Sequence, residues 1–308
     1  MSRKSKKRKP IDKVVIIVLV ILLLISEGMI AFLVRNRQED SIKEYEPVDL
    51  IGTYDSGDNF YFQKLSKKII LIAGLNEEDV QYVLLVAVDE DNRTLQPIQI
   101  NRDVLCEHNV LDEFGKIINR QSGPIRDSYK GAADTLVGLV NVKDAVTKLM
   151  CNARIDYYMS INLLAADKIT EIYDGIDVSL YKDYTDINPN YLKNTVVTIR
   201  PEDALDFVVG NESVEGSKRI EERINLFVNG FYDLNQYEYQ NNSNYFADSF
   251  AEVSKYCLFN SNDFIDYASQ TIWYQQLPII VIGGEEDGSD THVGIEEIEQ
   301  ICIDTIYK

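Results

Sequence analysis

Residues 67–103 read "KKIILIAGLNEEDVQYVLLVAVDEDNRTLQPIQINRD" and contain three short apolar runs, at 69–73, 83–88 and 95–100. The runs are rich in β-branched residues, and the polar segments between them, "NEED" and "DEDNRT", are typical of turns. This pattern predicts three neighbouring buried strands. The third run leads into Asn101, Arg102 and Asp103, so an arginine and a carboxylate are predicted at the carboxyl end of a buried strand.

Helical patterns alternate with strands in the rest of the chain. Apolar residues recur at helical spacing in 131–150, and Pro201 followed by two acids predicts the start of another helix. Further strands are predicted at 156–162, 176–180 and 277–284, and further helices at 163–175, 215–236, within 245–269 and at 294–308. Strands alternating with helices predict an α/β fold, layered as α/β/α, in one domain from 67 to 308.

The first 66 residues have a different composition. Residues 1–13 hold seven Lys or Arg residues, and residues 14–34 form a 21-residue apolar run that contains one acid, Glu27. A helix of that length spans roughly 30 Å, the thickness of a hydrocarbon core, whereas a signal peptide has a shorter apolar region and a small-residue cleavage site. We therefore expect a cytoplasmic tail (1–13), one transmembrane helix (14–34) and an extracytoplasmic stalk (35–66) before the domain.

Charge and cysteine content restrict the ligands and cross-links expected in the chain after Arg37. After Arg37 the chain has 22 basic and 48 acidic residues, which argues against a nucleic-acid partner because phosphate binding requires clustered positive charge. Cys106, Cys151, Cys257 and Cys302 are far apart in sequence, so a zinc site is not predicted. Disulfides are compatible with an extracytoplasmic domain, and the sequence leaves all three pairings open.

Arg102 and Asp103 are the first candidate site residues. The carboxyl ends of strands in open α/β sheets are where ligands bind. There an arginine can bind a phosphate with two hydrogen bonds, and an aspartate can bind Mg²⁺ or orient the guanidinium. On residue types alone, an ordinary ion pair at a strand end is the alternative.

The order of these segments and their amino-acid sequences resemble those of a known family. A basic tail and one apolar span precede "IILIAGL", "VLLVAVDEDNRTLQPIQINRD" and "IDYYMSINLLAADKITEIYDGIDVSL". Together they resemble the LytR-CpsA-Psr family of Gram-positive cell-envelope proteins over most of the chain, and the C-terminal "VIGGEEDGSDTHVGIEEIEQICIDTIYK" is similar to a clostridial-type branch. The resemblance implies a central mixed sheet flanked by helices, with a groove for a polyprenyl lipid.

The resemblance also implies a chemistry. Members of this family transfer a glycopolymer from a polyprenyl-pyrophosphate carrier to peptidoglycan outside the membrane. Arginines hold the pyrophosphate, and carboxylates bind Mg²⁺, which neutralises the leaving group. Membrane, polyprenyl-linked glycopolymer, peptidoglycan and other envelope-assembly proteins are therefore the partners that the resemblance implies.

Some of the family's charged positions are kept in this sequence. Arg102 and Asp103 match the Arg-Asp of an Ile-Pro-Arg-Asp motif, with Asn101 in place of proline. Arg219 matches the first arginine of Arg-Met-x-Arg-Gln, and Arg223 lies one place beyond the second. The resemblance thus implies that Arg102 and Asp103 are catalytic, that Arg102, Arg219 and Arg223 bind phosphate, and that Asp103 is a ligand of Mg²⁺ if the protein is active.

Other charged positions of the family are lost. Glu222 occupies the second arginine position of the helical motif. Neutral residues stand at expected carboxylate or arginine positions, namely Asn76, Gln81, Val209 and Asn211. Each lost charge-assisted hydrogen bond contributes roughly 1.5–3 kcal/mol, so the changes remove on the order of 6–12 kcal/mol of transition-state stabilisation.

Two functions follow from this uneven match. One is a weak glycopolymer transferase with a rearranged phosphate site built from Arg102, Asp103, Arg219 and Arg223. The other is a catalytically silent relative that keeps the anchor and the lipid groove and acts as a lipid-binding or scaffolding subunit of wall or capsule assembly. The loss of charged positions within a preserved apolar frame favours the silent relative.

Overall fold

The computed structural model describes residues 51–76, 79–132, 134–210, 217–261, 263–283 and 293–308. The predicted tail, the predicted transmembrane helix and residues 35–50 of the predicted stalk lie outside these residues. Among the described helices, none has both the length and the apolar character needed to cross a bilayer. Residues 53–62, which the sequence assigns to the stalk, form a β-hairpin within a compact unit that runs from Leu50 to Lys308.

The strands of the described part range from two residues in the shortest to ten in the longest. They are β1 (Thr53–Asp55), β2 (Phe60–Phe62), β3 (Lys67–Leu75), β4 (Val80–Asp89), β5 (Thr94–Ile100), β6 (Leu105–Leu111), β7 (Ile117–Pro124), β8 (Tyr157–Asn162), β9 (Ile176–Ser179), β10 (Val196–Ile199), β11 (Cys257–Phe259), β12 (Gln275–Gln276) and β13 (Ile280–Ile282).

The α-helices are α1 (Thr135–Leu149), α2 (Ala166–Ile172), α3 (Pro201–Val208), α4 (Ser217–Asn241), α5 (Ser243–Val253), α6 (Asp263–Thr271) and α7 (Ile295–Cys302). Short 3₁₀ helices lie at Ile125–Tyr129, Leu163–Ala165 and Ser254–Tyr256, and a π-helical turn at Ile303–Tyr307 follows α7. Helix α1 begins four residues after the predicted start because Asp134 caps it, accepting a hydrogen bond from the amide of Val137.

The central sheet has seven strands in the order β11-β8-β3-β4-β5-β12, with β13 also paired to β5. Strands β3, β4 and β5 are successively antiparallel, whereas β8 is parallel to β3 and both β12 and β13 are parallel to β5. The prediction of an α/β fold with a central mixed sheet is therefore confirmed.

Alternating residues of the sheet face two apolar cores. Ile69, Leu71 and Ala73 of β3 pack with residues of α1 and α7 on one face. Tyr82 and Leu84 of β4 pack on the other face, against residues of α2, α3, α4 and α5. Side chains of a strand alternate between faces, so one strand supplies both cores and the domain has three layers.

Candidate functional site

The strand end predicted to carry the site is a tight, hydrogen-bonded reversal after β5. The amide of Asn101 donates to the carbonyl of Ile282 at 2.9 Å, and its side-chain Oδ1 accepts from the amide of Asp103 at 2.8 Å. The amide of Val104 donates to the Asn101 carbonyl at 3.0 Å. A proline at 101 has no N–H for Ile282 and no side-chain acceptor, so the departure from the family motif has a structural reason.

Arg102 lies beneath helix α4 and is only 1% exposed. Its Nη1 donates to Oε1 of Gln81 at 2.5 Å, and its main-chain amide donates to Oε1 of Glu221 at 2.8 Å. Glu221 is 3% exposed, and its other oxygen lies 3.5 Å from Nε2 of Gln99. The guanidinium predicted to hold a phosphate is thus buried and hydrogen-bonded to a side chain of β4, and the main chain of the same residue is hydrogen-bonded to α4.

Further polar groups extend this buried layer between the sheet and α4. Asn225, one turn after Glu221, accepts a hydrogen bond from the hydroxyl of Tyr82 and donates to Oε1 of Gln99. Burial, followed by the charge of Glu221, raises the pKa of the Tyr82 hydroxyl, so it stays a neutral donor. We call Gln81, Tyr82, Gln99, Arg102, Glu221 and Asn225 the Glu221 network.

Asp103 contacts the 3₁₀ helix at Ile125–Tyr129. Its Oδ1 forms an ion pair with Nη1 of Arg126, and the amide of Arg126 donates to the carbonyl of Arg102 at 3.0 Å. The side chain of Asp103 is 6% exposed and that of Arg126 is 27% exposed. The carboxylate predicted to bind a metal is therefore held by a guanidinium.

Arg219 and Arg223 lie one turn apart on α4 and have different surroundings. Nη2 of Arg219 donates to Oδ1 of Asp186 at 2.9 Å, and the guanidinium lies over the ring of Tyr184, 5.4 Å from its centroid. The Arg219 side chain is 39% exposed. Arg223 is fully buried, and its Nε donates to the carbonyl of Phe207 at the end of α3 at 2.6 Å. The rings of Tyr184 and Phe207 lie 5.7 Å apart, so the two cations flank one aromatic pair, Arg219 near the surface and Arg223 buried.

The donor set does not fit Mg²⁺, the cofactor that the resemblance implies. Mg²⁺ requires several free oxygen ligands in octahedral geometry. Asp103 is bound by Arg126, and Glu221 accepts hydrogen bonds from Arg102 and Gln99. Within the described ranges no group of three or more His, Cys, Asp or Glu side chains is arranged to hold a metal ion.

Several residues of this region were missed by the sequence analysis. Glu221, rather than its neighbour Glu222, contacts Arg102, while Glu222 binds Lys182 at 2.7 Å on the surface. Gln99 and Asn225 were also missed, although a glutamine in a buried strand and an asparagine four residues after a glutamate were signals that could have identified them.

The fold is similar to that of several solved structures. One is TagV from B. subtilis, with 16% identity and a TM-score of 0.58, covering 79% of this chain and 98% of that one. TagT from B. subtilis has 14% identity and a TM-score of 0.57, covering 84% and 96%. Lin1025 from Listeria innocua has 18% identity and a TM-score of 0.56, covering 79% and 99%.

A structure described as TagT bound to LIIa-WTA also matches, with 13% identity, a TM-score of 0.58, and coverage of 79% of this chain and 91% of that chain. No protein-family model and no curated protein matches the sequence. At these identities the likeness establishes the fold.

Proposed function

We propose that this chain, which has the fold of the LytR-CpsA-Psr proteins TagT, TagU and TagV, binds a lipid-linked glycopolymer of the cell wall. We further propose that it transfers this glycopolymer weakly or not at all. The TagT complex with LIIa-WTA supports a glycopolymer ligand. The ligand class proposed is a polyprenyl-(pyro)phosphate-linked glycopolymer, with peptidoglycan as the acceptor wherever transfer occurs.

The enclosure of Arg102 is the observation that carries the weak-transfer part of the proposal. Its guanidinium is 1% exposed and donates to Gln81, an amide at a position where the family resemblance implies a carboxylate. Arg223 is fully buried and donates to a main-chain carbonyl. A cation without solvent access cannot stabilise the charge that develops on a leaving phosphate.

Arg219 is the proposed phosphate contact. Among the three predicted arginines it is the one with an accessible side chain, and Lys182, 52% exposed, lies on the same side of α4 through its ion pair with Glu222. A phosphate that displaces Asp186 gains charge-assisted hydrogen bonds from the Arg219 guanidinium. We expect binding without efficient cleavage, because Arg102 and Arg223 are buried and hydrogen-bonded to protein groups.

A weak transferase is the second candidate. It is favoured by Arg102 and Asp103 lying at the carboxyl end of β5, where α/β sheets place their ligands. It requires the buried guanidinium of Arg102, which is hydrogen-bonded to Gln81 of β4, to become accessible to a phosphate.

A transfer assay separates the two candidates. The full chain in detergent is mixed with polyprenyl-pyrophosphate-linked glycopolymer and peptidoglycan, and bound polymer and released polyprenyl phosphate are both measured. We expect saturable binding that weakens in Arg219→Gln, with release no faster than without protein. Release above that background, lost in Arg102→Lys that still folds, would establish the transferase instead.

Membrane anchoring is proposed from residues 14–34, with the N-terminus in the cytoplasm and the described domain outside. Single cysteines introduced at Ser2 and at exposed Asp91, in a chain whose own cysteines are replaced by serine, test this topology. In intact cells, an impermeant maleimide is expected to label position 91 and not position 2. The reverse pattern, or equal labelling of both positions, contradicts the proposal.

A further inference from the structure

Two cysteines far apart in sequence meet at the end of helix α1. Cys151 follows α1 and has a left-handed backbone, with φ of 54°, and Cys302 is the last residue of α7. Cys151 packs against the apolar core that contains Cys302, and it lines one cavity with Ile298 and Glu299 of α7. The hydroxyl of Tyr307, in the turn after α7, donates to the carbonyl of Cys151 at 2.6 Å, so the C-terminal turn is also bound at this point.

The two thiols differ in access. Cys302 is fully buried in the apolar core that contains α1 and α7. Cys151 is half-buried and lines a cavity of about 510 Å³, together with Tyr54, Lys148 and Glu299 among others. Cys302 is not among the residues that line this cavity, so a reagent in it reaches Cys151 before Cys302.

The more accessible thiol, Cys151, also has the lower pKa. The hydrogen bond from Cys302 lowers the pKa of Cys151, against the opposing effects of burial and of Glu299. The same contact, together with burial, raises the pKa of Cys302. Because the thiolate is the reactive form of cysteine, Cys151 is the nucleophile of the pair.

The other two cysteines differ from this pair, although Cys106 lines the same cavity as Cys151. Cys106 is buried, and burial raises its pKa to about 12. Burial also raises the pKa of Cys257 to about 12, and its backbone lies in β11 on the far edge of the sheet from β5. Both thiols therefore stay protonated and react slowly. Each of the three pairings that the sequence leaves open has two bonds, and the structure favours one bond of one pairing, that between Cys151 and Cys302.

We propose that Cys151 and Cys302 form a redox-active disulfide that ties the C-terminal helix α7 to the end of α1. The Cys151 thiolate attacks one sulfur of an oxidant disulfide, from a thiol–disulfide oxidoreductase or a small molecule, and releases the oxidant's first thiolate. Cys302 then loses its proton to that thiolate and attacks the Cys151 sulfur, which releases the second. Two protein thiols are oxidised to one disulfide, and one oxidant disulfide is reduced to two thiols.

The bond would hold the last element of the core in place. Helix α7 and the turn after it contribute Ile298, Cys302, Ile306 and Tyr307 to the core beneath the sheet. A cross-link that closes a long loop stabilises the folded state mainly by restricting the unfolded chain. In a domain of this size, we expect oxidation to raise the unfolding midpoint by on the order of 5–10 °C.

Thiol mapping of the full chain in detergent tests the proposal. The protein is incubated with glutathione disulfide or with a reductant, alkylated under denaturing conditions, and digested without reduction. After oxidation we expect Cys106 and Cys257 to remain alkylated, and a linked peptide to join Cys151 to Cys302. Four alkylated cysteines after oxidation, or a linked peptide joining Cys151 to Cys106, would overturn it.

The midpoint of thermal unfolding tests the proposal independently. The midpoint of the native chain and of Cys257→Ser is expected to rise on oxidation, while that of Cys151→Ser is expected to stay constant. Serine at 151 is tolerated because the position is half-buried, and Cys257→Ser controls for the loss of a thiol elsewhere. A rise that persists in Cys151→Ser contradicts the proposal. These measurements use no glycopolymer, so their failure would leave the proposed function untouched.

Discussion

The main-chain amide of Arg102 donates a 2.8 Å hydrogen bond to Oε1 of Glu221, which joins the end of β5 to helix α4. Glu221 is almost fully buried and is the acidic member of the Glu221 network. Glu221→Gln keeps the shape but removes the charge, so we expect the free energy of unfolding to fall by about 1.5–3 kcal/mol. Urea denaturation followed by circular dichroism measures this loss.

Glu222→Gln is the matched control. Its ion pair with Lys182 lies on the surface, where such pairs contribute about 0–1 kcal/mol. If both variants lose the same free energy of unfolding, the Glu221 network does not stabilise the contact between β5 and α4.

Arg102 is predicted to contribute to stability, and Arg219 is predicted to contribute to glycopolymer binding. Arg102→Gln removes a buried cation and leaves the polar groups around it unpaired, so we expect a loss of about 3–5 kcal/mol of unfolding free energy. Arg219→Gln is expected to leave stability within about 1 kcal/mol and to weaken glycopolymer binding roughly 10-fold to 100-fold. Denaturation and equilibrium binding measure the two effects.

Arg93→Gln is the control for both variants, because Arg93 is exposed in the turn between β4 and β5, at the other end of the strands. It should change neither stability nor binding. Equal loss of binding in Arg93→Gln and Arg219→Gln would indicate general attraction between the protein and an anionic polymer, and would remove Arg219 from the proposed site.

The sequence predicted the central strands because their patterns are local. Strands β3, β4 and β5 alternate apolar residues between two cores, and their β-branched runs are visible without knowing the partners. The β6–β7 hairpin was missed because β6 includes His108 and Asn109, polar residues that are nevertheless buried. Their hydrogen bonds go to Gln121 and Asn141, so the strand is stabilised by partners that a local pattern does not reveal.

The placement of Arg102 and Asp103 after β5 was predicted, but their surroundings were not. The strand end carrying Arg102 and Asp103 is where the apolar run indicated, at the carboxyl end of β5. Burial of Arg102 depends on Gln81 and Glu221, which are 21 and 119 residues away, and the ion pair of Asp103 depends on Arg126. Such contacts form only when the layers pack, so residue types alone could not distinguish a ligand-binding arginine from a structural one.

Because Asp103 is paired with Arg126, we predict that Mg²⁺ changes neither the stability of the protein nor its glycopolymer binding. A ligand that binds only the folded state raises the unfolding midpoint, whereas a carboxylate held by a guanidinium offers little to a cation. We expect the midpoint in millimolar Mg²⁺ to equal that in EDTA, and glycopolymer binding to be unchanged between the two. A midpoint that rises with Mg²⁺ in the native chain but not in Asp103→Asn would show a metal at this carboxylate.

The hydrogen bonds of Asp89 make the stability of the domain depend on pH. It lies opposite Lys67 where β3 pairs with β4, with 2.7 Å between Lys67 Nζ and Asp89 Oδ2. Burial by itself raises the pKa of the carboxyl, but hydrogen bonds from Lys67 and Asn92 outweigh it and lower the pKa from 3.8 to about 2. The folded state therefore binds this proton less readily than the unfolded chain does.

The contribution of the Asp89 carboxylate is fully present above about pH 4 and is lost as the pH falls through about 2, with a size of about 1–2 kcal/mol. Asp89→Asn should be less stable than the native chain by a constant amount above about pH 5, and the difference should shrink toward pH 2. Denaturant titrations at several pH values measure it, with Asp91→Asn, an exposed neighbour, as the control. A difference that is independent of pH would mean that the amide disturbs packing and that the charge of Asp89 does not stabilise the β3–β4 pair.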